Sequence, residues 1–260
     1  MNTTRFTRAV VRIPAENFAD GLTTAGLGAP DVALALQQHT AYCRALEQCG
    51  LDLTVLPADP RHPDSTFVED AAVLTPRCAV LTRPGAASRA GEVEDMLPVL
   101  RRFYQKIQTI TAPGTLDGGD ICEAGTHFFI GLSERTNEAG AQQLAAFLAE
   151  EGFTSSTVQV RGIPGILHLK SGIAYLGDNL LVLIDAFAGL PQFAGYNILR
   201  VDPAENYAAN CVRVNDHVLL PAGHPRLQQA LQNLGCRVQP LDMSEFQKMD
   251  GGLSCLSLRF

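Results

Sequence analysis

No Cys-x-x-Cys pair occurs in this chain, although it carries seven cysteines, at positions 43, 49, 78, 122, 211, 236 and 255. An odd number without paired spacing excludes a disulfide framework and a structural zinc site, and it fits a reducing, cytoplasmic setting. No apolar run reaches the roughly 20 residues that cross a bilayer. The opening residues, MNTTRFTR, lack an apolar signal core, so no membrane association is expected. Basic clusters are also missing, and the net charge is −7, which argues against a nucleic-acid partner and is compatible with a cationic small substrate. There is no linker and no low-complexity tract. The 260 residues, 46% hydrophobic and 18% charged, read as one α/β domain, 1–260, with enough apolar side chains for a substantial core.

What is present is a repeat. Arg8 to Pro14 reads as a strand. Ala15 to Gly28 is a glycine-punctuated loop, either a mobile lid or a plain connection. Pro30 is expected to open a helix with Val32, Leu36, Cys43 and Leu46 on its inner face, ended by Gly50. Leu51 to Leu56 alternates as a strand. Hairpins then recur at residues 71–83, 120–132, 172–184 and 211–220, each followed by a helix. The first of these helices, about Glu92 to Tyr104, contains Pro98, which should kink it or delay its start. The third is poorly marked, because Gly189 and Pro191 interrupt it. A half hairpin from Cys255 to Phe260 closes the chain, with the 8–14 strand as its expected partner. Spacings of about 40–50 residues lie in the range of propeller-type repeats. The repeat predicts five hairpin-helix-strand units around an axis with pseudo-fivefold symmetry. The rival, a doubly wound parallel sheet, accommodates antiparallel hairpins before each helix poorly.

Several stretches carry chemistry, each with an ordinary alternative. Cys255 follows Gly251-Gly252 and is read as sitting at the start of a strand. It is either a nucleophile or a small buried hydrophobe; a free thiol has a pKa of about 8.5 and needs help to ionise. Asp64, Glu69 and Asp70 lie within seven residues beside Phe67. They are either a solvated loop or a pocket for a guanidinium or ammonium group, which paired carboxylates grip with charge-assisted hydrogen bonds. Asp117 and Asp120 flank Gly118-Gly119, as a turn or as inward-facing acids. His168, between Leu167 and Leu169, is a core histidine or an acid/base catalyst. Arg89 and Arg135 follow the second strand of successive hairpins. They are either surface ion-pair partners or forks for a substrate carboxylate.

Taken together, FVED, TLDGGD, LSERTN, LHLKSG, NYAANC and MDGGLSC resemble the dimethylarginine dimethylaminohydrolases, of the guanidino-group-modifying superfamily. The resemblance runs from Asp20-Gly21-Leu22-Thr23 to Phe260. It implies the five-bladed α/β-propeller (pentein) fold, with the whole chain as one catalytic domain. It also implies hydrolysis of Nω-methylated L-arginine to L-citrulline and an amine through a covalent cysteine intermediate. Cys255 would then be the nucleophile, His168 the general acid/base and Asp117 the acid that orients it. Asp70, with Glu69 beside it, would hold the guanidinium and Phe67 would line the site. Asp64 and the carbonyls of Leu22 and Met249 would take the α-ammonium, and Arg89 and Arg135 the α-carboxylate. Met249 stands where the family usually has Ile or Val. No metal or organic cofactor is implied, the partner is the small substrate alone, and a homodimer is admitted. The alternatives within the superfamily are arginine deiminase and amidinotransferase; a non-catalytic pentein binding protein is the alternative of another class. Lys170 bears on the first, because deiminases resemble this chain elsewhere but carry aspartate at that place.

Overall fold

The computed structural model describes residues 5–260. The chain begins with β1 (Arg8–Arg12), helix α1 (Val32–Gln48) and β2 (Asp52–Leu56). The next unit is β3 (Ala72–Leu74), β4 (Cys78–Leu81), α2 (Glu92–Leu100) and β5 (Lys106–Thr109). It is followed by β6 (Ile121–Ala124), β7 (His127–Leu132), α3 (Glu138–Glu150) and β8 (Thr154–Gln159). The fourth contains β9 (Ile173–Tyr175), β10 (Leu180–Leu183), α4 (Asp185–Ala188) and β11 (Asn197–Arg200), and the fifth β12 (Val212–Val214), β13 (His217–Pro221), α5 (Pro225–Asn233) and β14 (Arg237–Leu241). The short helix α6 (Ser244–Gln247) leads to β15 (Leu258–Arg259).

These strands form five separate three-stranded sheets with one plan. The middle strand pairs antiparallel with the first and parallel with the third, across the helix. Hairpin turns make the antiparallel contact, and their left-handed residues are those that tolerate it: Asp178 and Asn179 in one turn, Asn215 in another. The parallel contact needs a crossover, which the helix supplies. Middle strands such as β4 and β10 read CAVL and LLVL and are almost wholly buried. The third strands read KIQT or TSSTVQ and are half exposed, since one side of each faces solvent. The result is a five-bladed α/β propeller. The ring closes where β15 pairs antiparallel with β1, Ala9 opposite Arg259 and Val10 opposite Leu258, while β2 pairs parallel on the other side.

Three local expectations are corrected. Helix α1 starts at Val32, capped by the Asp31 carboxylate, which accepts the N–H groups of Ala33 and Leu34; Pro30 lies before the cap. Its buried face is Ala35, Gln38, His39, Tyr42, Ala45 and Leu46, whereas Leu36 is exposed. An apolar-only stripe missed this face because Gln38 and Tyr42 are buried through hydrogen bonds, to Ser244 Oγ at 2.8 Å and Ser257 Oγ at 2.6 Å. Helix α2 does not start late: it runs from Glu92 with Pro98 inside its last turn and ends at Leu100, short of the expected Tyr104. Finally, Cys255 does not begin a strand. It lies in a single 3-10 turn, Ser254–Leu256, and its N–H bonds back to Gly252 O at 3.2 Å instead of to a neighbouring strand.

A short 3-10 turn precedes the first strand of every blade: Val68–Ala71, Gly118–Asp120, Leu169–Ser171, Pro203–Ala209 and Ser254–Leu256. The first four turns touch in succession and the last, Ser254–Leu256, touches the first, so they gather the residues just ahead of β3, β6, β9, β12 and β15.

The β1–β15 seam packs Leu258 against Val10, Val68, Ala79 and Leu81. Leu258→Ala should therefore lower unfolding free energy by about 2–5 kcal/mol, the usual range for a buried leucine. Urea titration should show this as a lower midpoint with unchanged slope.

Candidate active site

Where the turns meet, a pocket is lined by Asp70, His168 and Cys255, with Asp64, Phe67, Leu22 and Met249 around them and Arg89 and Arg135 on the wall. Residues from every quarter of the sequence are thus brought to one place. Asp117 lies behind His168. It is fully buried, and its Oδ2 is 3.1 Å from His168 Nε2 while its Oδ1 accepts the Gly85 N–H at 2.8 Å. Asp117 is therefore an inward-facing acid rather than a surface turn residue.

The other nitrogen of His168 faces Asp70. A methyl group on Gly119 would lie 2.8 Å from His168 Nδ1 and 2.9 Å from Asp70 Oδ1, so only glycine fits between them. Burial opposes a charged imidazole, yet the surrounding Asp70, Asp120 and Asp117 outweigh it and raise the His168 pKa to about 9. At neutral pH the ring is an imidazolium, ready to donate a proton. Asp120 also anchors the histidine-bearing turn: its carboxylate accepts the Leu169 N–H at 3.0 Å and the Ser133 hydroxyl at 2.6 Å.

Asp70 is held from two directions. Its Oδ1 accepts the Gly119 N–H at 2.8 Å and its Oδ2 takes Arg89 Nη1 at 2.6 Å. Burial works against its ionisation, but His168, Arg89 and these hydrogen bonds prevail and bring the carboxyl down to about 2. Arg89 itself is buried and also forks onto Glu92 at 2.9 and 2.8 Å and reaches Phe67 O at 3.2 Å. Its donors are almost all committed, so it buttresses Asp70. Arg135 also reaches the pocket, but among the described residues its guanidinium makes no ion pair or hydrogen bond. The two arginines occupy equivalent repeat positions and are in opposite states. The acid three residues after Arg135, Glu138, is exposed and pairs with Arg161 at 2.7 Å instead.

Glu69 does not line the pocket. Its carboxylate lies 2.6 Å from Lys170 Nζ and accepts the Ser254 hydroxyl at 2.8 Å, with Arg259 at 3.6 Å. Glu69 was expected beside Asp70 against a guanidinium; in this structure a lysine and the nucleophile's own turn claim its carboxylate. Cys255 lies above this cluster. Burial first, then the charges of Glu69 and Asp70, push its thiol up to about 12. With the pocket empty, sulfur stays protonated.

At the other end of the pocket the Asp64 carboxylate accepts the Leu22 N–H at 3.1 and 3.2 Å. The 15–28 segment is not uniformly loose. Phe18 is buried against Phe67 and Phe246. Beyond it, Thr23 Oγ1 donates to Lys248 O at 2.7 Å, and the Thr24 N–H and hydroxyl donate to Asp250 at 2.5 and 3.0 Å. Leu167, Asp250 and Gly251 also line the pocket. They lie within the LHLKSG and MDGGLSC motifs, but no site role was expected of them.

Donor atoms of Asp70, Asp117 and His168 lie within 4.8 Å of one another, a grouping able to hold a metal ion. Here, however, Asp70 serves Gly119 and Arg89, Asp117 serves Gly85 and His168, and His168 holds a proton to about pH 9. A cation would have to displace that proton and those bonds, so the residues suit acid/base work better.

No family model matches the chain. The chain is 49% identical over 256 residues to an N(G),N(G)-dimethylarginine dimethylaminohydrolase of Pseudomonas aeruginosa, covering 98% of this chain and all of the relative. It is 36% identical to a protein of the same name from Streptomyces coelicolor, covering 97% and 96%. Among solved structures it resembles a Cys→Ser variant of the P. aeruginosa protein complexed with citrulline, at TM-score 0.96 and 48% identity over 99% of this chain and all of that one.

The neutral thiol yields a direct test. Alkylation of Cys255 by iodoacetamide, followed by mass spectrometry of its peptide, should accelerate with pH and show no plateau below about pH 10, because the thiol is pushed to about 12. A plateau near pH 8 would mean that the empty site already stabilises a thiolate.

Proposed function

The chain belongs to the dimethylarginine dimethylaminohydrolase family, and from that membership we propose that it hydrolyses Nω-methylated free L-arginine to L-citrulline and methylamine or dimethylamine. The observation that carries this reading is the meeting of Cys255, the His168–Asp117 pair and the Asp70 carboxylate in one pocket. The whole chain serves as one catalytic domain. A cytoplasmic setting, in keeping with seven free cysteines, and a homodimeric assembly belong to the same reading.

Asp70 takes the substrate guanidinium, whose positive charge offsets the carboxylate that otherwise keeps Cys255 protonated. The thiol then loses its proton to solvent and the thiolate attacks the central guanidinium carbon. As the C–N bond breaks, the His168 imidazolium gives its proton to the leaving amine, and a thiouronium remains on sulfur. The imidazole, now neutral, takes a proton from water, and the hydroxide attacks the same carbon. As the C–S bond breaks, the added hydroxyl gives up its proton to become the citrulline carbonyl, and the departing sulfur is reprotonated to the resting thiol while His168 stays an imidazolium. Asp117 keeps the ring in place for both transfers. Asp64 and the carbonyls of Leu22 and Met249 receive the α-ammonium, with Phe67 packed beside them. Arg135, with its uncommitted guanidinium, is the main partner of the α-carboxylate, and Arg89 supports it from behind Asp70.

Arginine deiminase is the nearest rival, and Lys170 argues against it. Where a deiminase places a second carboxylate on the guanidinium, this chain has a lysine that engages Glu69. One side of the guanidinium is left without an anion and accepts methyl groups. A buried carboxylate facing those methyls would cost roughly 1–3 kcal/mol. With methylated and plain arginine competing in one tube, kcat/KM should favour the methylated substrate by at least about tenfold. Ammonia as the dominant product would move the protein to the deiminase reading. No citrulline from either substrate would favour a binding protein.

Arg135→Ala should raise KM about ten- to a hundredfold with kcat little changed, as expected for losing a charge-assisted contact worth roughly 1.5–3 kcal/mol. The effect should disappear with substrates that lack the carboxylate. An equal loss on those substrates would contradict the role.

A further inference from the structure

Under the pseudo-fivefold symmetry, the turns ahead of the five first strands are equivalent positions. The reading above, on which this inference rests, gives four of them a reacting or substrate-holding group, in or beside the turn: Asp70, Asp117, His168 and Cys255. The fifth turn, Pro203–Ala209, ends at Asn210, a buried residue with no role so far. Its carboxamide is fully used. Oδ1 accepts the Ser254 N–H at 2.9 Å, and Nδ2 donates to Ser254 Oγ at 3.0 Å and to Lys170 O at 2.9 Å. One side chain thus bridges the turn that carries Cys255 and the turn that follows His168. The backbone beside the nucleophile packs directly on it: a methyl group on Gly252 would lie 2.6 Å from Asn210 Oδ1. From the same segment, the Tyr207 hydroxyl donates to Gly251 O at 2.9 Å.

We propose that Asn210 is a positioning residue that fixes Cys255 relative to His168. Both half-reactions need sulfur and imidazole poised over the same carbon, and a misplacement of about 1 Å costs about a hundredfold in rate. Asn210 does not line the pocket, so its loss should act on the chemical steps and leave binding alone.

Asn210→Ala is expected to lower kcat for a methylated arginine about ten- to a hundredfold, with KM and the inhibition constant of L-citrulline within threefold of the native values. Asn210→Asp, equal in shape, keeps an acceptor for Ser254 N–H but loses both donors. It should show the same split with a lower thermal midpoint, because a buried carboxylate then faces the Lys170 carbonyl; assayed well below that midpoint, it carries the test where the alanine variant fails to fold. A kcat within threefold of native overturns the proposal. So does a parallel loss of kcat and citrulline binding, which marks a general structural role. Iodoacetamide labelling of the Cys255 peptide needs no substrate and separates this proposal from the functional reading. In Asn210→Ala the rate at Cys255 should rise at least fivefold as the freed turn swings outward, with the other six cysteine peptides unchanged. An unchanged rate at Cys255 overturns the bridge, even where a lack of citrulline in the native protein has overturned the hydrolase reading.

Discussion

A carboxylate removed from water has to be compensated, and Asp70 is the buried charge around which this molecule is arranged. The cost of desolvating it is met by one backbone N–H, one guanidinium and one nearby imidazolium. Each compensation imposes something further. The N–H is that of Gly119, which forces glycine at the point where the third blade's turn passes the histidine. The guanidinium is that of Arg89, which needs Glu92 buried beside it. The imidazolium is that of His168, which keeps its proton through the negative charge around it. Removing any one partner leaves another charge without compensation, so the site is a set of mutual requirements.

The propeller supplies what this network needs. Each blade is stabilised by its own buried middle strand and helix, and the turn ahead of its first strand is left free to carry polar groups. Turns gathered in this way allow acids and bases from distant parts of the sequence to share one pocket. The blades can therefore differ in quality. The fourth has only a four-residue helix, yet its preceding turn brings His168 to the centre as firmly as the others bring their groups.

The repeat was legible because turn chemistry is local. Gly177-Asp178-Asn179 and Asn215-Asp216 mark their hairpins by residues that accept left-handed backbone. The site was legible as motifs and through resemblance to a family, and the pocket brings most of those residues together. What was not legible depends on partners far away in the sequence. Glu69 and Asp70 are neighbours with similar side chains, but Lys170 and Ser254 take one and Arg89 and Gly119 take the other. Arg89 and Arg135 share a repeat position and an acid three residues on; Glu92 is buried and Glu138 exposed, and this decides which guanidinium is committed. The inner face of α1 was misjudged for a related reason, since Tyr42 and Gln38 are drawn inward by hydroxyl groups near the other end of the chain.

The seam between β1 and β15 makes turnover a gauge of synthesis and folding. Those strands are the most widely separated partners in the sequence, and Cys255 lies just before the second of them. A nascent chain with four finished blades would already hold its acids, its histidine and its arginines, and would still be inert. Bringing the two ends together is also the loop closure of greatest entropic cost in the ring. A cell that makes this protein is therefore exposed to no half-built hydrolase: the reactive sulfur arrives only with the strand that locks the circle.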